Sequence, residues 1–258
     1  MKANIWTYDE TLLAFELYCR TPFGKITERN PEIVELAFLL NRTPTSLKMK
    51  MYNLARLDPE EQARGVVSLK HGAKVEKQIW RDFEIDSESC ILKVAQLKEL
   101  LESKHGSKLS KTKEPEIFPM GVDRETIVKQ RLGQSFFRNT ILSAYGYKCC
   151  ITGINIAKFL IASHIKPWRE STPQEKTNPR NGLCLNALHD KAFDQGYITI
   201  NKDYKIIIAE KFKRSSYVDD VTRNFIIYKE GMEIVLPDKF KPNKEFIEYH
   251  NEMRFGKF

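Results

Sequence analysis

The stretch that most constrains this 258-residue chain lies between Ser163 and Gly196, where His164, Asn181 and His189 follow one another at intervals of 17 and 8 residues. They sit in the segments Ser163-His164-Ile165-Lys166-Pro167-Trp168 and Asn181-Gly182-Leu183-Cys184-Leu185-Asn186-Ala187-Leu188-His189-Asp190. These intervals suit a short β-hairpin carrying His164, a connecting loop holding Asn181, and a helix presenting His189. Such a unit can set one neutral imidazole beside a single cation.

A lone histidine is usually a satisfied core or surface residue, so the information lies in the constellation. Histidine titrates near neutral pH and can serve as a base without extreme tuning. Phosphodiester hydrolysis needs such a base to deprotonate water, and a cation to neutralise charge on the phosphoryl oxygens. Asparagine cannot be that base, but its amide can clamp the loop that aims the histidine.

Further segments extend the pattern: Gln130-Arg131-Leu132-Gly133-Gln134-Ser135-Phe136-Phe137-Arg138, Ala144-Tyr145-Gly146-Tyr147-Lys148-Cys149-Cys150-Ile151-Thr152-Gly153, and Ala162 leading into Ser163-His164. Over roughly residues 123 to 210 the sequence resembles the HNH (ββα-metal) endonuclease family, in the branch of bacterial restriction-type proteins. The resemblance implies that His164 is the general base, that Asn181 holds the active-site loop, and that His189 ligates a divalent metal. It also implies products with 5′-phosphate and 3′-hydroxyl ends. The chain departs from the pattern at Ser163, where many members carry a metal-ligating Asp or His and a hydroxyl is a poor substitute. Asp194, a hard oxygen donor five residues after His189, is the candidate for the missing ligand; a helix-end hydrogen-bonding role is the alternative.

Charge agrees with that chemistry. Lys and Arg number 42 against 34 Asp and Glu, a net charge of +8, which favours a polyanionic partner. No apolar run approaches the length of a membrane span and no apolar signal segment opens the chain, so the expected setting is cytoplasmic, without a membrane. Five cysteines, Cys19, Cys90, Cys149, Cys150 and Cys184, form no regular framework, which suits a reducing compartment. Thr152 and Gly153 stand where a C-x-x-C partner of Cys149 or Cys150 would be, so a structural zinc is not expected. Buried free thiols are.

Local signals organise the N-terminus. Thr7 and Glu10 have capping-box spacing ahead of a helix over about 8–20. Asn30-Pro31 opens a second helix ending near Asn41, and Thr43-Pro44 opens a third with Leu47, Met51 and Leu54 as its apolar stripe. Residues 1–57 thus read as a helix-turn-helix-like domain. Off the stripe, Lys48, Lys50, Asn53 and Arg56 are candidate DNA contacts; a helical docking domain with a solvated polar face is the alternative.

Residues 58–122 read as a helical connector, with a helix over Ser87–His105 and a basic linker from Gly106 to Pro115. The connector helix leaves a homodimer open. His71, His105 and His250 are expected to be uninvolved in catalysis. Residues 123–258 read as the nuclease domain. A helix from Asp123 to about Tyr145 carries Arg131 and Arg138, which with Lys166 are candidate phosphate contacts. Strands are expected at 197–200, 205–209, 225–228 and 232–236, and a final helix at 243–255.

The expectation is therefore an α+β metal-dependent DNA endonuclease acting on double-stranded DNA in restriction or anti-phage defence. Mg²⁺ is the expected ion, with Mn²⁺, Ni²⁺ or Zn²⁺ compatible with a histidine ligand. An RNA-cleaving toxin-like nuclease and a non-catalytic DNA-binding regulator remain as alternatives.

Overall fold

The computed structural model describes residues 5–63, 74–106 and 124–258. His71, the expected domain boundary at 122 and all but the first residue of the expected linker lie outside the described residues. The chain is α+β, and it divides into two compact units, 1–136 and 137–258. The division falls within a helix.

In the first unit, capping chemistry sets the helix starts. Helix α1 (Tyr8–Arg20) begins with the reciprocal Thr7–Glu10 box: the Glu10 N–H donates to Thr7 Oγ1 at 3.2 Å and the Thr7 N–H to Glu10 Oε2 at 2.8 Å. Helices α2 (Pro31–Leu39) and α3 (Pro44–Ala55) start at Asn30 and Thr43, each cap followed by proline. Helices α4 (Pro59–Ala63), α5 (Lys74–Ile85) and α6 (Ser87–His105) follow. Phe15 meets the Trp80 ring edge-on at 4.9 Å and Phe83 at 5.1 Å, joining α1 to α5. His105 is exposed.

The polar face expected of α3 is largely engaged. Lys50 is only 6% exposed and its Nζ lies 2.6 Å from Glu76 Oε1. The reason is α5, which the sequence pattern left unassigned; it packs on α3 and carries Glu76 into the core. Lys50, expected on an open polar face, is instead a buried ion-pair partner. Lys48 pairs with Glu28, while Asn53 and Arg56 are half-buried.

Helix α7 (Arg124–Ala144) contributes Phe136 to the first unit, against Phe83, and Phe137 and Ile141 to the core of the second. Strands β1 (Leu160–His164) and β2 (Gly182–Asn186) pair antiparallel, with His164 opposite Gly182 and Ser163 opposite Leu183. The 17-residue connection between them contains α8 (Pro173–Thr177), and β2 runs directly into α9 (Ala187–Asp194). A second hairpin, β3 (Ile198–Ile200) with β4 (Ile206–Ile208), follows as expected. Helices α10 (Glu210–Lys213), α11 (Asp220–Phe225) and α12 (Lys244–Met253) complete the unit.

The strands expected at 225–228 and 232–236 are not formed. Asp219 accepts the Thr222 N–H at 2.7 Å and caps α11, so its local hydrogen bond overrides the β-rich pattern of Phe225-Ile226-Ile227-Tyr228. One isolated bridge, Lys205 to Glu233, remains from that segment among the described residues.

Cys149, Cys150 and Cys184 pack in this core as free thiols, and burial pushes Cys184 up to about 12. His250 is buried against Phe193, its Nε2 3.0 Å from the Phe193 carbonyl and its Nδ1 2.8 Å from Thr199 Oγ1. Its partners are structural. No helix among the described residues is long and apolar enough to cross a membrane.

Candidate active site

His164 ends β1, and its environment fixes its protonation. The ring stacks on Phe137, centroids 3.8 Å apart and planes 12° from parallel, and meets the edge of Trp168 at 5.4 Å. Opposite it, Gly182 makes the stack possible: a Cβ there would come within 2.8 Å of Phe137 Cζ and 2.4 Å of Ile141 Cδ1. His164 Nε2 lies 3.0 Å from the Lys176 carbonyl. A carbonyl can only accept, so Nε2 carries the proton and Nδ1 is the basic nitrogen. Burial pulls the imidazole pKa below its ordinary value, partly countered by the Lys176 hydrogen bond. At neutral pH the ring is an uncharged base.

Asn181 is fully buried and clasps the connection that supplies that carbonyl. Its Oδ1 accepts the Lys166 N–H at 2.8 Å; its Nδ2 faces the Lys166 and Glu175 carbonyls, each at 3.2 Å, and Ser171 Oγ at 3.4 Å. The Ile165 N–H donates to the Asn181 carbonyl at 2.9 Å, continuing the hairpin past its last paired residue. The side chain thus ties the start of the loop to Glu175, the neighbour of the residue whose carbonyl touches His164.

His189 lies in the first turn of α9, 1% exposed. Asn186 caps this helix, its Oδ1 taking the N–H groups of Leu188 and His189 at 3.1 Å, and it also sets the ring. Asn186 Nδ2 lies 3.0 Å from His189 Nδ1 and Oδ1 lies 3.3 Å from it, so the amide can meet either tautomer. His189 Nε2 makes no hydrogen bond of good geometry, although the Phe225 backbone lies close enough to act on the ring, and the ring centroid is 4.9 Å from that of Phe225. Burial lowers this pKa to about 4, with the Phe225 backbone opposing and Lys229 adding to the shift. The ring is neutral, as a metal ligand must be.

The next residue contacts the hairpin. Asp190 accepts a hydrogen bond from the Ser163 hydroxyl, placing its carboxylate beside the residue preceding the base. Burial raises the Asp190 pKa, the Ser163 bond lowers it, and Asp194 one turn on raises it again. Asp194 itself is exposed, with Oδ2 accepting from Gln195 Nε2 at 2.9 Å and Oδ1 3.7 Å from Arg254 Nη2. Of the two carboxylates, Asp190 and not Asp194 is the one bonded to Ser163.

Other candidates are scattered. Lys166 Nζ is held by Glu175 at 2.7 and 2.9 Å, and Glu175 also completes the capping box of α8 with Thr172. Arg138 is exposed in the second unit, and Arg131 is exposed in the first. Sequence reasoning missed Asn186, although an asparagine just before a helix is a standard cap signal. It also missed Asp190, whose spacing of four from Asp194 puts both on one helix face. Lys176 could not have been found, because it acts through its backbone.

A hairpin delivering a neutral histidine, a buried asparagine locking the loop behind it, and a helix packed on the hairpin make a ββα unit. Residues 149–201, about a fifth of the chain, match the family model described as HNH endonuclease. The match indicates nuclease activity on a nucleic-acid substrate. No curated protein matches the chain.

HNH nucleases generally use divalent metal ions. Among the described residues no three His, Cys, Asp or Glu side chains converge as a ready-made site. Two side chains of α9 nevertheless have the donor chemistry a metal needs. His189 Nε2 is a buried nitrogen with no hydrogen bond of good geometry, able to ligate from the tautomer whose Nδ1 proton goes to Asn186 Oδ1. Asp190 is a half-buried oxygen donor whose charge is disfavoured by burial and by Asp194, and a cation would relieve both effects. A hard ion that keeps much of its water needs few protein ligands.

Proposed function

We propose that this protein is a metal-dependent DNA endonuclease that hydrolyses phosphodiester bonds in double-stranded DNA, with Mg²⁺ as its physiological ion and restriction or anti-phage defence as its setting. The observation that carries the reading is His164: neutral, with Nε2 pinned to the Lys176 carbonyl and Nδ1 left as the basic atom. In this mechanism Nδ1 takes a proton from the attacking water, and the Lys176 carbonyl stabilises the imidazolium that results. Asn181 keeps that carbonyl in place. His189 and Asp190, with Asp194 behind them, would hold the metal, which supplies charge neutralisation at the phosphoryl oxygens and the leaving group.

For substrate contacts, Arg138 supports phosphate binding by its exposure, and Arg131 does so in the first unit. Lys166 would have to share its ammonium between Glu175 and a phosphate. On α3, Lys48, Asn53 and Arg56 remain as proposed contacts, while the burial of Lys50 weakens that face as a phosphate binder.

The test is nicking of supercoiled plasmid with Mg²⁺, with EDTA, and with His164→Ala, beside a structured RNA. Cleavage of the plasmid that EDTA stops, and that His164→Ala slows by about 10²–10⁴-fold, is the expected result. Full activity in the variant removes His164 as base, and preferential RNA cleavage replaces the DNA reading.

A further inference from the structure

Beyond the end of α9, the second unit carries a cavity of about 550 Å³ walled by aromatic side chains. Tyr197, three residues after Asp194, forms one wall; its ring centroid lies 4.8 Å from Phe212 and 4.2 Å from Phe258. Lys211 stands over the Phe258 ring at 5.4 Å and donates to the Phe258 backbone oxygen at 2.8 Å. Ser215, Ser216 and Thr222 add hydroxyls. Tyr217 also lines the cavity and is 95% exposed. Its loop is turned by the Ser215 hydroxyl, which accepts the Tyr217 N–H at 3.3 Å.

The lining selects its ligand. The volume is in the range of small-molecule and cofactor clefts. Among the described residues no acidic side chain lines it, and Lys211, held at the Phe258 main-chain oxygen, is its one charged side chain. A nucleobase finds π-faces to stack on, hydroxyls for its edge, and an ammonium group for the adjoining phosphate. The cavity also adjoins the nuclease helix: the Gly256 N–H donates to the Gly196 carbonyl at 3.0 Å, closing the C-terminal turn onto the residue between α9 and Tyr197.

We propose that this cavity receives an unstacked nucleobase of the substrate strand, with Tyr217 closing over the base as a stacking platform. The proposal rests on the nuclease reading for its substrate and adds that the nucleic acid presents an unpaired base beside the cleavage unit.

The experiment is fluorescence polarisation with the full chain in EDTA, so that nothing is cleaved, using a labelled single-stranded DNA oligonucleotide and the fully paired duplex of the same sequence. Stacking of one base is worth about 1–3 kcal/mol, so Tyr217→Ala should weaken single-strand binding by about 5- to 150-fold. Duplex binding should change by less than about twofold on that scale, and Tyr217→Phe should restore the single-strand affinity. Because Tyr217 is almost wholly exposed, the alanine variant keeps the fold, which circular dichroism checks.

Single-strand binding that is absent in the parent, or equal in parent and Tyr217→Ala, overturns the pocket. A Tyr217-dependent preference for single strands in a protein that cleaves nothing under any metal sustains the pocket while removing the nuclease reading. Cleavage with Tyr217-independent binding does the reverse.

Discussion

Replacing Asn181 tests whether the loop clasp is what aims the base. The side chain is fully buried, accepts one backbone N–H at 2.8 Å and points its NH₂ group at three oxygen atoms. Asn181→Ala leaves the Lys166 N–H and two carbonyls short of a partner; with about 1–3 kcal/mol for each stranded buried group and partial relaxation, a loss of about 2–4 kcal/mol is expected. Asn181→Asp is the sharper probe because it keeps the shape and the acceptor to Lys166. It turns the two donor hydrogens into a carboxylate oxygen facing acceptors, so its folded-state pKa must rise above the unfolded value near 3.9. A raised carboxyl pKa makes the deficit largest above the folded pKa and lets stability recover as the pH falls, since the protonated acid regains one donor. Urea denaturation followed by fluorescence at pH 5 and pH 8 measures this, alongside plasmid nicking, where a displaced base should cost about 10²-fold. Parent-like stability and rate in Asn181→Asp at pH 8 would refute the clasp.

Lys50→Ala should cost about 3–5 kcal/mol by stranding the buried Glu76 carboxylate, whereas Lys48→Ala should stay within about 0.5 kcal/mol; equal, small effects in denaturation would show Lys50 to be solvated. Burial holds the His164 pKa below its usual 6.5, and the base works unprotonated, so the rate should be level above pH 6.5 and fall only below it. An acid limb centred above pH 6.5 in kcat/KM would remove His164 as the titrating base. His250, with a folded pKa of about 4 against 6.5 when unfolded, contributes about 3 kcal/mol that is intact above pH 6.5 and lost as the pH falls toward 4. Its NMR resonance should remain that of a neutral ring down to that range, and titration near 6.5 in the folded protein contradicts the burial argument.

What the sequence made legible was local. Thr7, Asn30 and Thr43 announce helices through hydrogen bonds to residues two or three places on, and the structure starts α1, α2 and α3 at those caps. The hairpin, loop and helix around His164, Asn181 and His189 were likewise readable from spacing. What stayed hidden involves distant partners. Lys50 looked like a surface cation because nothing in α3 reveals that Glu76 arrives from 26 residues away. Asp194 looked like the better carboxylate because its distance from His189 is visible in one dimension, while the Ser163 hydroxyl that singles out Asp190 is a contact across the sheet-to-helix packing. The segment at 225–236 failed for a local reason, since the Asp219 cap was there to be read.

The contact that sets the His164 proton ends on a main-chain oxygen. Side-chain substitutions at position 176 leave that oxygen in place, so the loop's side chains can change while the His164 imidazole keeps one tautomer. The tautomer depends instead on the path of the chain, and on the asparagine that fixes it. An alanine scan of 172–178 would therefore pass over the atom on which the base depends, whereas a single inserted or deleted residue would shift it out of reach.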